Sequence, residues 1–388
     1  MSRRIVFAMT SAAGMTGGVA TANLNVLHAL VATAGSRGLA LEVISFQEDE
    51  QARPSFLPRE AIFRACRGRR SLFVGRVLLA LLNRPLLVFD HVRLALVALP
   101  FARMGIQSFV LFAHGRAYWR SLRRLDRMTI EAATLVLTNS HFTLRKMRER
   151  IPGFGGRACP LGLSPLLPLN DEPPQPAINL ALEATDGVTR PLGDQMFLLV
   201  GRLEPGEREK GHDPVLRALA RLHSAHPGAQ VVFAGPGADR ERLARAAVAL
   251  GVGSAVFLPG FVADPQLRAL YSRCCAFVMP SRQEGFGLVY LEAMNHAKPC
   301  VGCFDDGAED VIVHGCTGLL VRDPEDPAEL VAILSSLLSN PALAAEMGRN
   351  GLERLHRHFT AAQYQQRIRD ELDAILARHG GRLREVKA

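Results

Sequence analysis

The sequence lacks any apolar run long enough to cross a membrane. Of its 388 residues 48% are hydrophobic, yet no uninterrupted run reaches the roughly 18–20 residues that a spanning helix needs. The most apolar region, residues 71–101, is interrupted by Arg76, Arg84, Asp90 and Arg93. The start, MSRRIVFAM, is also short of the roughly 7–15 apolar residues of a signal peptide, and IVFAM is typical of a first β-strand. We therefore expect a cytoplasmic protein.

Other absences narrow the class of protein further. The seven cysteines are odd in number and scattered, which is unlike a disulfide framework. The sequence shows no internal repeat and no long low-complexity tract. The dinucleotide fingerprint G-x-G-x-x-G is missing as well, because the first glycines fall at positions 14, 17 and 18. That spacing argues against a nicotinamide-dependent oxidoreductase.

Positive charge is in excess, and it is concentrated in the first half of the chain. Residues 1–170 hold 23 Lys and Arg against 9 Asp and Glu, whereas the remaining 218 residues hold 23 against 28. The two parts therefore carry +14 and −5, within a total of +9. Such asymmetry suggests that the first half meets a nucleic acid, an anionic membrane face or a lipid-phosphate substrate. A merely solubilising surface is the alternative.

Apolar runs followed by glycine-rich or polar turns and then by helical patterns recur along the chain. The runs are RIVFAM, LEVISF, QSFVLFAHG, TLVLTNS, FLLVGRL, AQVVFAGPG, AVFLPGF, CAFVMPS and KPCVGC. Continuous apolar strands that alternate with helices indicate parallel sheets covered by helices on both faces. The fold class predicted from this pattern is α/β. Ligands of such sheets bind beyond the carboxyl ends of the strands.

The chain is too long for one ordinary hydrophobic core, so two domains are expected. The stretch LGLSPLLPLNDEPPQPAINL is crowded with prolines, which favour a linker. We therefore predict an N-terminal domain over residues 1–170 and a linker over residues 171–193. A second domain should span residues 194–359, and a closing helix and tail should span residues 360–388.

Two glutamates flank a glycine-rich loop in the stretch RQEGFGLVYLEAM. Glu284 lies in the predicted loop EGFG, and Glu292 lies near the second turn of the helix expected to follow. The N–H groups of Phe286, Gly287 and Leu288 open this helix, and such a terminus favours anions. Carboxylates in turn accept hydrogen bonds from vicinal hydroxyls. The pattern suits a sugar joined to a phosphate, whereas two merely solvated glutamates are the alternative.

A second loop with charged residues follows the apolar run FLLV, in the stretch GRLEPGEREKGHDPVLRALARL. Arg202 stands at the end of the predicted strand, and Lys210 precedes the next helix. Two cations on one strand-to-helix connection can hold a diphosphate and stabilise it as it departs. A surface loop with ordinary charges is the alternative.

Together these features resemble the C-terminal half of the family 4 glycosyltransferases, which are retaining enzymes. Their GT-B fold has two Rossmann-like parallel-sheet domains facing each other across a cleft. The match extends from about residue 197 to 329, and it comprises VGRLEPGEREKGHDPVLRAL, VVFAGPG, VFLPGFVADPQLRALYSRC, PSRQEGFGLVYLEAM, KPCVGC and GAEDVIVHGCTGLLV. The E-x7-E pair with an upstream arginine and Lys-Gly is a specific signal.

The resemblance implies a role for each charged residue. Glu284 would hold hydroxyls of the donor sugar, and Glu292 would hold the ribose hydroxyls of a nucleotide. Arg202 and Lys210 would neutralise the diphosphate. The backbone near Val262, in PGFVAD, would face the base. This sequence departs from the family in one respect, because the seven residues between the arginine and the lysine exceed the spacing of many members.

The N-terminal half resembles the family more loosely, as expected of an acceptor-binding domain. Gly17 and Gly18 match the family's glycine pair, where a tight loop lets the backbone approach the donor phosphate and sugar. His114, in SFVLFAHGRAYW, matches the family's active-site histidine, and its carbonyl or ring would lie near the transferred sugar. Read without the resemblance, a lone histidine after a strand is more often structural.

Several other polar residues are given lesser roles. Asn139 and Ser140, in TNSHFTLRKM, are predicted to cap a helix. His91, in LVFDHVRL, is either structural or on the acceptor side. Cys300 and Cys303 have CxxC spacing but lie along a predicted buried strand, so we expect no redox or metal role. The sequence also has no Asp-x-Asp, the motif with which another glycosyltransferase fold holds its divalent metal, so we predict metal independence.

The resulting hypothesis is a retaining hexosyltransferase that uses a UDP- or GDP-linked sugar and a glycan or lipid-linked acceptor. We expect it to act in envelope or exopolysaccharide synthesis. It would need neither a cofactor nor a metal, and it would not bind nucleic acid. A sugar-nucleotide epimerase of the same fold and a basic nucleic-acid binder are the rival interpretations.

A contact with a membrane is a further hypothesis. Residues 56–82, FLPREAIFRACRGRRSLFVGRVLLALL, combine arginines with large apolar side chains. A basic amphipathic helix or helix pair of this composition can lie on an anionic membrane surface. Packing of the same leucines in the core is the alternative. If the membrane is contacted, the protein is peripheral on the cytoplasmic face.

Overall fold

The computed structural model describes residues 4–12, 17–119, 122–174 and 180–382. The chain divides into two compact units. The first unit comprises Met1–Pro168 together with Phe359–Ala388, and the second comprises Leu169–His358. Each unit has a parallel β-sheet of its own, so the α/β class predicted from the apolar runs is confirmed.

The first unit contains a sheet of seven strands, all parallel, in the order β3-β2-β1-β4-β5-β6-β7. Its strands are β1 Arg4–Met9, β2 Ala40–Ser45, β3 Ile62–Ala65, β4 Leu86–Phe89, β5 Phe109–Ala113, β6 Leu135–Thr138 and β7 Arg157–Ala158. The helices between them are α1 Gly18–Arg37, α2 Arg70–Leu81, α3 Val92–Ala95, α4 Leu99–Arg103, α5 Arg124–Ala132 and α6 His141–Arg150.

The central strands of this sheet are buried along their whole length. Every residue of β4 and of β5 is buried, which accounts for their unbroken apolar sequences. Side chains of both faces are needed to fill the core, so the period-two alternation of a half-exposed strand is absent. The runs RIVFAM, LEVISF, QSFVLFAHG and TLVLTNS therefore predict β1, β2, β5 and β6 correctly.

The second unit contains a parallel sheet of six strands in the order β12-β11-β10-β13-β14-β15. Before it lies an antiparallel pair, β8 Ala181–Glu183 and β9 Thr189–Pro191. The six strands are β10 Met196–Val200, β11 Gln230–Ala234, β12 Val256–Gly260, β13 Ala276–Val278, β14 Cys300–Cys303 and β15 Gly318–Val321. The helices are α7 His212–Leu222, α8 Arg240–Ala249, α9 Asp264–Arg273, α10 Leu288–Asn295, α11 Ala308–Val311, α12 Pro327–Ser339 and α13 Pro341–His358.

The segment expected to be a linker, residues 171–193, contains the β8–β9 hairpin. Its turn has Asp186 and Gly187, and the Gly187 N–H donates to the Ala184 carbonyl at 2.9 Å. The hairpin also joins the second unit, because Ala184 forms a bridge with Phe257 of β12. The sequence analysis missed this hairpin for two reasons. Its strands are only three residues long and contain no buried residue, and the prolines before it favour a linker.

The last helix, α14 Ala361–Arg382, completes the first unit rather than the second. It packs along α1, with Ile368 and Leu372 fully buried. Polar contacts fix the pairing, since Gln365 Nε2 donates to Asn25 Oδ1 at 3.1 Å and Arg37 pairs with Asp373 at 2.6 Å. The closing helix expected over residues 360–388 is therefore present as α14 and packs on α1, and residues 383–388 lie outside the described part of the chain.

Among the described residues, no single helix is long and apolar enough to cross a membrane. One helix pair, Pro327–Ser339 with Pro341–Ala377, meets the length and composition of a span but bends by 97° at its break. Leu330, Leu334 and Leu337 of its first helix are buried in the second unit.

In each sheet the strand order reverses at one place. The reversal lies between β1 and β4 in the first unit and between β10 and β13 in the second. At such a point the neighbouring strand-to-helix connections diverge to opposite faces, which leaves a crevice at the carboxyl ends of the two strands. The predicted site residues can be placed relative to these two crevices.

Candidate active site

The crevice of the second unit brings together the three charged residues that the sequence singled out most strongly. Arg202 and Lys210 follow β10, and Glu284 follows β13, on the opposite side of the reversal. The Lys210 ammonium lies 4.0 Å from a carboxylate oxygen of Glu284. Cations on one connection and a carboxylate on the other therefore line the same crevice, as the motif spacing predicts.

The connection that carries the cations forms a short 3₁₀ helix, Pro205–Lys210, before α7. It is anchored to the neighbouring connection, because the Leu203 N–H donates to the Pro236 carbonyl and the Asp239 N–H donates to the Leu203 carbonyl, both at 2.8 Å. On its outer side Arg208 pairs with the buried carboxylate of Asp239 at 3.1 Å. The longer spacing noted in the sequence thus folds into an ordered helical turn.

Glu207, in this turn, is a site residue that the sequence analysis missed. One of its carboxylate oxygens accepts a hydrogen bond from the Arg202 guanidinium, and the other lies 3.6 Å from the Lys210 ammonium. The side chain of Arg202 is 61% exposed, whereas that of Glu207 is only 12% exposed. The two cations expected to hold a diphosphate therefore already hold an internal carboxylate.

Glu284 is held by the loop that follows β13. Its backbone carbonyl accepts a hydrogen bond from the Gly307 N–H at 3.0 Å, which ties the loop to the connection after β14. Its side-chain Oε1 accepts from the Gly285 N–H at 3.1 Å. The side chain remains 26% exposed, so its carboxylate is accessible to a ligand while its backbone is fixed.

The helix start that was predicted to favour anions is formed as expected. Gly287 precedes α10 with φ 86°, a left-handed conformation in which Tyr290 leaves no room for a Cβ. Phe286 is buried, and Leu288 is the first helical residue. No side chain caps this terminus among the described residues. Its first N–H groups can therefore serve an anionic ligand.

Glu292 has surroundings unlike those of Glu284. It lies in the second turn of α10, where its Oε2 accepts a hydrogen bond from the Tyr271 hydroxyl at 2.9 Å. Burial raises the pKa of Glu292 to about 7, although the hydrogen bond from Tyr271 acts in the opposite direction. A carboxyl group with this pKa is close to half-protonated at neutral pH, so it can both donate and accept hydrogen bonds.

A buried acid beside Glu284 was also missed. Asp306 follows β14, is fully buried, and accepts a hydrogen bond from the Gly307 N–H at 2.8 Å. Its other carboxylate oxygen has no hydrogen-bond partner within the described part of the chain. Burial and the nearby charge of Glu284 raise the pKa of Asp306 well above its usual range. An aspartate after a strand is typical of a turn, so the sequence alone gives no sign of this environment.

The region predicted to face a base lies just past β12. Val262 is buried, so the feature it offers to a ligand is its backbone, as the resemblance implies. The preceding residue, Phe261, is 69% exposed. An exposed aromatic ring next to this backbone is a second candidate for contact with a base, which the sequence analysis did not single out.

In the first unit, the predicted glycine pair lies at a helix N-terminus. Gly17 precedes α1 with φ 136°, a conformation that favours glycine, and Gly18 is the first residue of the helix. Gly14, the first glycine of the same loop, lies outside the described residues. The loop starts from β1, on one side of the strand reversal in this sheet.

A buried aspartate organises the same crevice. Asp90 follows β4 and accepts hydrogen bonds from the Thr10 N–H at 2.8 Å, from the Thr10 hydroxyl, and from Asn23 Nδ2 at 2.7 Å. These contacts join the end of β1 to α1, on either side of the glycine loop. Burial raises the pKa of Asp90, and the hydrogen bonds from Thr10 and Asn23 counteract that rise.

His114 follows β5 at the same edge of the sheet. Within the described part of the chain neither ring nitrogen has a hydrogen-bond partner, and burial lowers the pKa of His114 to about 4. The ring is therefore neutral under physiological conditions. His91 has a structural contact, because its Nδ1 accepts from the Arg93 N–H at 3.2 Å and caps α3. The neutral imidazole of His114 is thus a buried group whose ring nitrogens lack a hydrogen-bond partner among the described residues.

Of the residues given lesser roles, Ser140 caps a helix as predicted, and Cys300 and Cys303 lie along a buried strand as predicted. Ser140 caps α6 by accepting from the Thr143 N–H at 2.8 Å, and Asn139 accepts from the Thr143 hydroxyl at 2.7 Å. Cys300 and Cys303 are buried in β14. In the described part of the chain, no group of three or more His, Cys, Asp or Glu is placed to hold a metal ion.

Two open parallel sheets, each with polar residues at its strand reversal, are typical of a doubly wound α/β architecture. The structure is similar to that of Anabaena Alr3699/HepE in complex with UDP, with a TM-score of 0.72, 19% identity, and coverage of 96% of this chain and 100% of that one. The GT-B fold expected from the resemblance is confirmed.

Sequence comparison leads to the same family. The glycosyl transferases group 1 profile matches residues 184–354. The chain is 36% identical over 167 residues to the glycogen synthase of Mycobacterium tuberculosis, which is 43% of this chain but only 39% of that protein. It is 29% identical over 285 residues, or 71% of each chain, to the GDP-mannose-dependent alpha-(1-6)-phosphatidylinositol monomannoside mannosyltransferase of Mycolicibacterium smegmatis. Residues 184–354 therefore resemble the glycosyl transferases group 1 family.

Proposed function

We propose that the protein transfers a hexose from a nucleoside-diphosphate sugar to a hydroxyl group of a glycan or a lipid-linked acceptor, with retention of the anomeric configuration and without a metal. The observation that carries this proposal is the meeting of Arg202, Lys210 and Glu284 at the strand reversal of the second unit, with Lys210 4.0 Å from Glu284. A carboxylate beside two cations matches a ligand that has sugar hydroxyls next to a diphosphate.

Each part of the donor has a matching group in the second unit. Lys210 and Arg202 neutralise the diphosphate, and the uncapped start of α10 contributes N–H groups to it. Glu284 accepts hydrogen bonds from the sugar. Glu292, in the second turn of α10, holds the ribose, and the backbone at Val262 faces the base.

In the proposed reaction the acceptor hydroxyl attacks the anomeric carbon on the face from which the diphosphate departs. The bond between the anomeric carbon and the phosphate oxygen breaks, and the departing phosphate oxygen takes the proton of the hydroxyl. The products are the new glycoside and a nucleoside diphosphate. The main electrostatic demand is the charge on the leaving group, which Lys210 and Arg202 meet without a metal. His114 supplies a neutral hydrogen-bonding group for the transferred sugar.

Two similar proteins support two donor bases. The mycolicibacterial relative uses GDP-mannose, and the similar Anabaena structure contains UDP. We therefore propose a UDP- or GDP-linked hexose as the donor. The acceptor of the mycolicibacterial relative is a phosphatidylinositol mannoside, which supports a lipid-linked or envelope glycan as the acceptor.

A surface of the first unit suits a lipid-linked acceptor. Helix α2 uses Phe73, Val77 and Ala80 for the core, so packing does not account for its remaining large apolar residues. The exposed ones on and just after the helix are Leu72, Val74, Leu78, Leu79 and Leu82. Six arginines and no acidic residue occur in residues 61–89. An apolar face bordered by cations matches an anionic membrane surface, so we propose a peripheral cytoplasmic enzyme.

Substitution of Glu284 tests the site. Glu284→Ala should lower the release of UDP or GDP from the corresponding sugar nucleotide by at least about a hundredfold, because the sugar loses its main charged partner. The melting temperature should stay close to that of the unaltered protein, since the side chain is partly exposed. The matched control is Glu346→Ala, which removes an exposed carboxylate from α13. Near-full activity of Glu284→Ala would contradict the assignment.

A further inference from the structure

We infer that Glu207 competes with the donor diphosphate for Arg202 and Lys210, and so sets the affinity of the protein for nucleoside diphosphates. This inference rests on the proposed function, because it assigns the same two cations to the diphosphate. Without donor, the carboxylate of Glu207 is bound to both cations. With donor, the phosphate oxygens take its place and the Glu207 side chain has to move away.

The geometry of the carboxylate supports this exchange. Its Oε1 accepts from Arg202, and its Oε2 lies 3.6 Å from the Lys210 ammonium, so each oxygen serves one cation. A diphosphate offers the same chemistry, namely anionic oxygens at adjacent positions. Glu207 is 12% exposed and Arg202 is 61% exposed, so the carboxylate is largely shielded from water whereas the guanidinium is accessible to a ligand.

The backbone aims Glu207 at the cations. It has φ −127° and ψ 24°, which departs from helical values inside the 3₁₀ turn. Its N–H donates to the Glu204 carbonyl at 2.9 Å. The next residue, Arg208, pairs with Asp239 and not with the residues that hold Glu207. These contacts hold the turn in place, so a donor would displace the side chain of Glu207 rather than its backbone.

The exchange has a consequence that depends on the ligand. A ligand that reaches the cations must first break the ion pairs that Arg202 and Lys210 form with Glu207, and the loss of those pairs weakens its binding. A nucleoside without phosphates does not reach them, so its affinity is independent of Glu207. Removing the charge of Glu207 should therefore strengthen the binding of a nucleoside diphosphate selectively. A purely structural role of Glu207 would instead weaken all binding or leave it unchanged.

Calorimetric titration of the full-length protein with UDP, GDP, uridine and guanosine tests the inference. For Glu207→Gln we expect at least about a tenfold lower dissociation constant for the diphosphate that the unaltered protein binds, a factor of ten being a readable difference. The corresponding nucleoside should bind both proteins equally. The matched control is Glu204→Gln, which removes a charge from the same connection but from a carboxylate with no ion pair in the described part of the chain.

The outcomes separate the inference from the function on which it rests. Tighter diphosphate binding by Glu207→Gln, with Glu204→Gln like the unaltered protein, supports the inference. Clear binding by the unaltered protein together with equal or weaker binding by Glu207→Gln overturns the inference alone. An equal gain in Glu204→Gln also overturns it, because the effect would then come from net charge. Binding of neither nucleotide to any of the proteins overturns the proposed function and the inference with it.

Discussion

At the scale of single residues, the two glutamates of the E-x7-E pair differ in a way that the motif does not reveal. Glu284 is accessible and lies beside a cation, with its Oε2 4.0 Å from Lys210. Glu292 lies against Tyr271, and burial raises its pKa to about 7. The first glutamate is therefore a charged acceptor, whereas the second changes its charge near neutral pH.

This difference predicts how stability responds to pH. The pKa of Glu292 is raised from 4.5 to about 7 in the folded chain, so the folded state holds a proton that the unfolded state has lost. Stability therefore falls as the pH rises through this interval. Glu292→Gln should remove that loss. We expect the variant to be more stable than the unaltered protein above neutral pH by on the order of 1–3 kcal/mol, and equally stable in acid.

Urea denaturation at a series of pH values measures this prediction. The two stability curves should coincide near the low end of the interval and separate as the pH rises. The variant should also bind the nucleoside diphosphate more weakly, because an amide is a poorer acceptor than a carboxylate for the ribose hydroxyls. Parallel stability curves at all pH values would contradict the raised pKa of Glu292.

At the scale of elements, helix α2 contains large apolar residues that packing within its own unit does not explain. One face fills the core, and the opposite face exposes leucines, of which Leu82 at its end is 79% exposed. Exposed arginines flank it on both sides, namely Arg67, Arg69, Arg70 and Arg84. Water does not favour such a surface, whereas an anionic bilayer satisfies both its apolar and its basic parts.

Sedimentation with vesicles tests the role of α2. The protein should bind vesicles that contain an anionic phospholipid at low salt and lose binding as salt screens the arginines. A double variant, Leu79→Ser with Leu82→Ser, should bind at least about tenfold more weakly, because two apolar side chains no longer enter the bilayer. Leu166→Ser removes another exposed leucine of the same unit and should have no effect. Absence of binding to anionic vesicles at low salt would remove the membrane from the proposal.

Buried strands could be predicted from the sequence, whereas an exposed hairpin could not. The apolar runs predict the central strands well, because residues buried on both faces must be apolar whatever their neighbours are. The β8–β9 hairpin escapes detection, since its residues are mostly exposed and stand beside prolines that suggest a linker. The hairpin is joined to the sheet by a bridge between Ala184 and Phe257, a contact that is far apart in the sequence.

In the candidate site, too, some residues can be predicted from the sequence and others cannot. Arg202, Lys210 and Glu284 can be found from spacing because each follows a predictable strand. Glu207 cannot, since a glutamate in a charged loop is normally solvated, and its orientation depends on the anchoring of Arg208 by Asp239, 31 residues away. The burial of Asp90 and Asp306 is likewise set by how neighbouring strands end, which local sequence does not specify.

At the scale of the whole molecule, charge is distributed according to the proposed ligands. The first 170 residues carry +14, and the remainder carries −5 even though it includes the two cations assigned to the donor. A net negative unit can bind a diphosphate only where cations are held close to the ligand. The strand reversal between β10 and β13 provides such a place, because Arg202 and Lys210 follow β10 there. The basic first unit is suited to an anionic acceptor or the surface that carries it.

The measurement that tests this account most directly is the melting temperature of the protein with UDP, GDP or ADP, each without and with magnesium. A ligand present at about 100 times its dissociation constant stabilises the folded state by roughly 2.7 kcal/mol, which gives a readable shift. We predict that UDP or GDP raises the melting temperature and that magnesium adds nothing. No shift with any of the three nucleotides would contradict the donor site at the centre of the account.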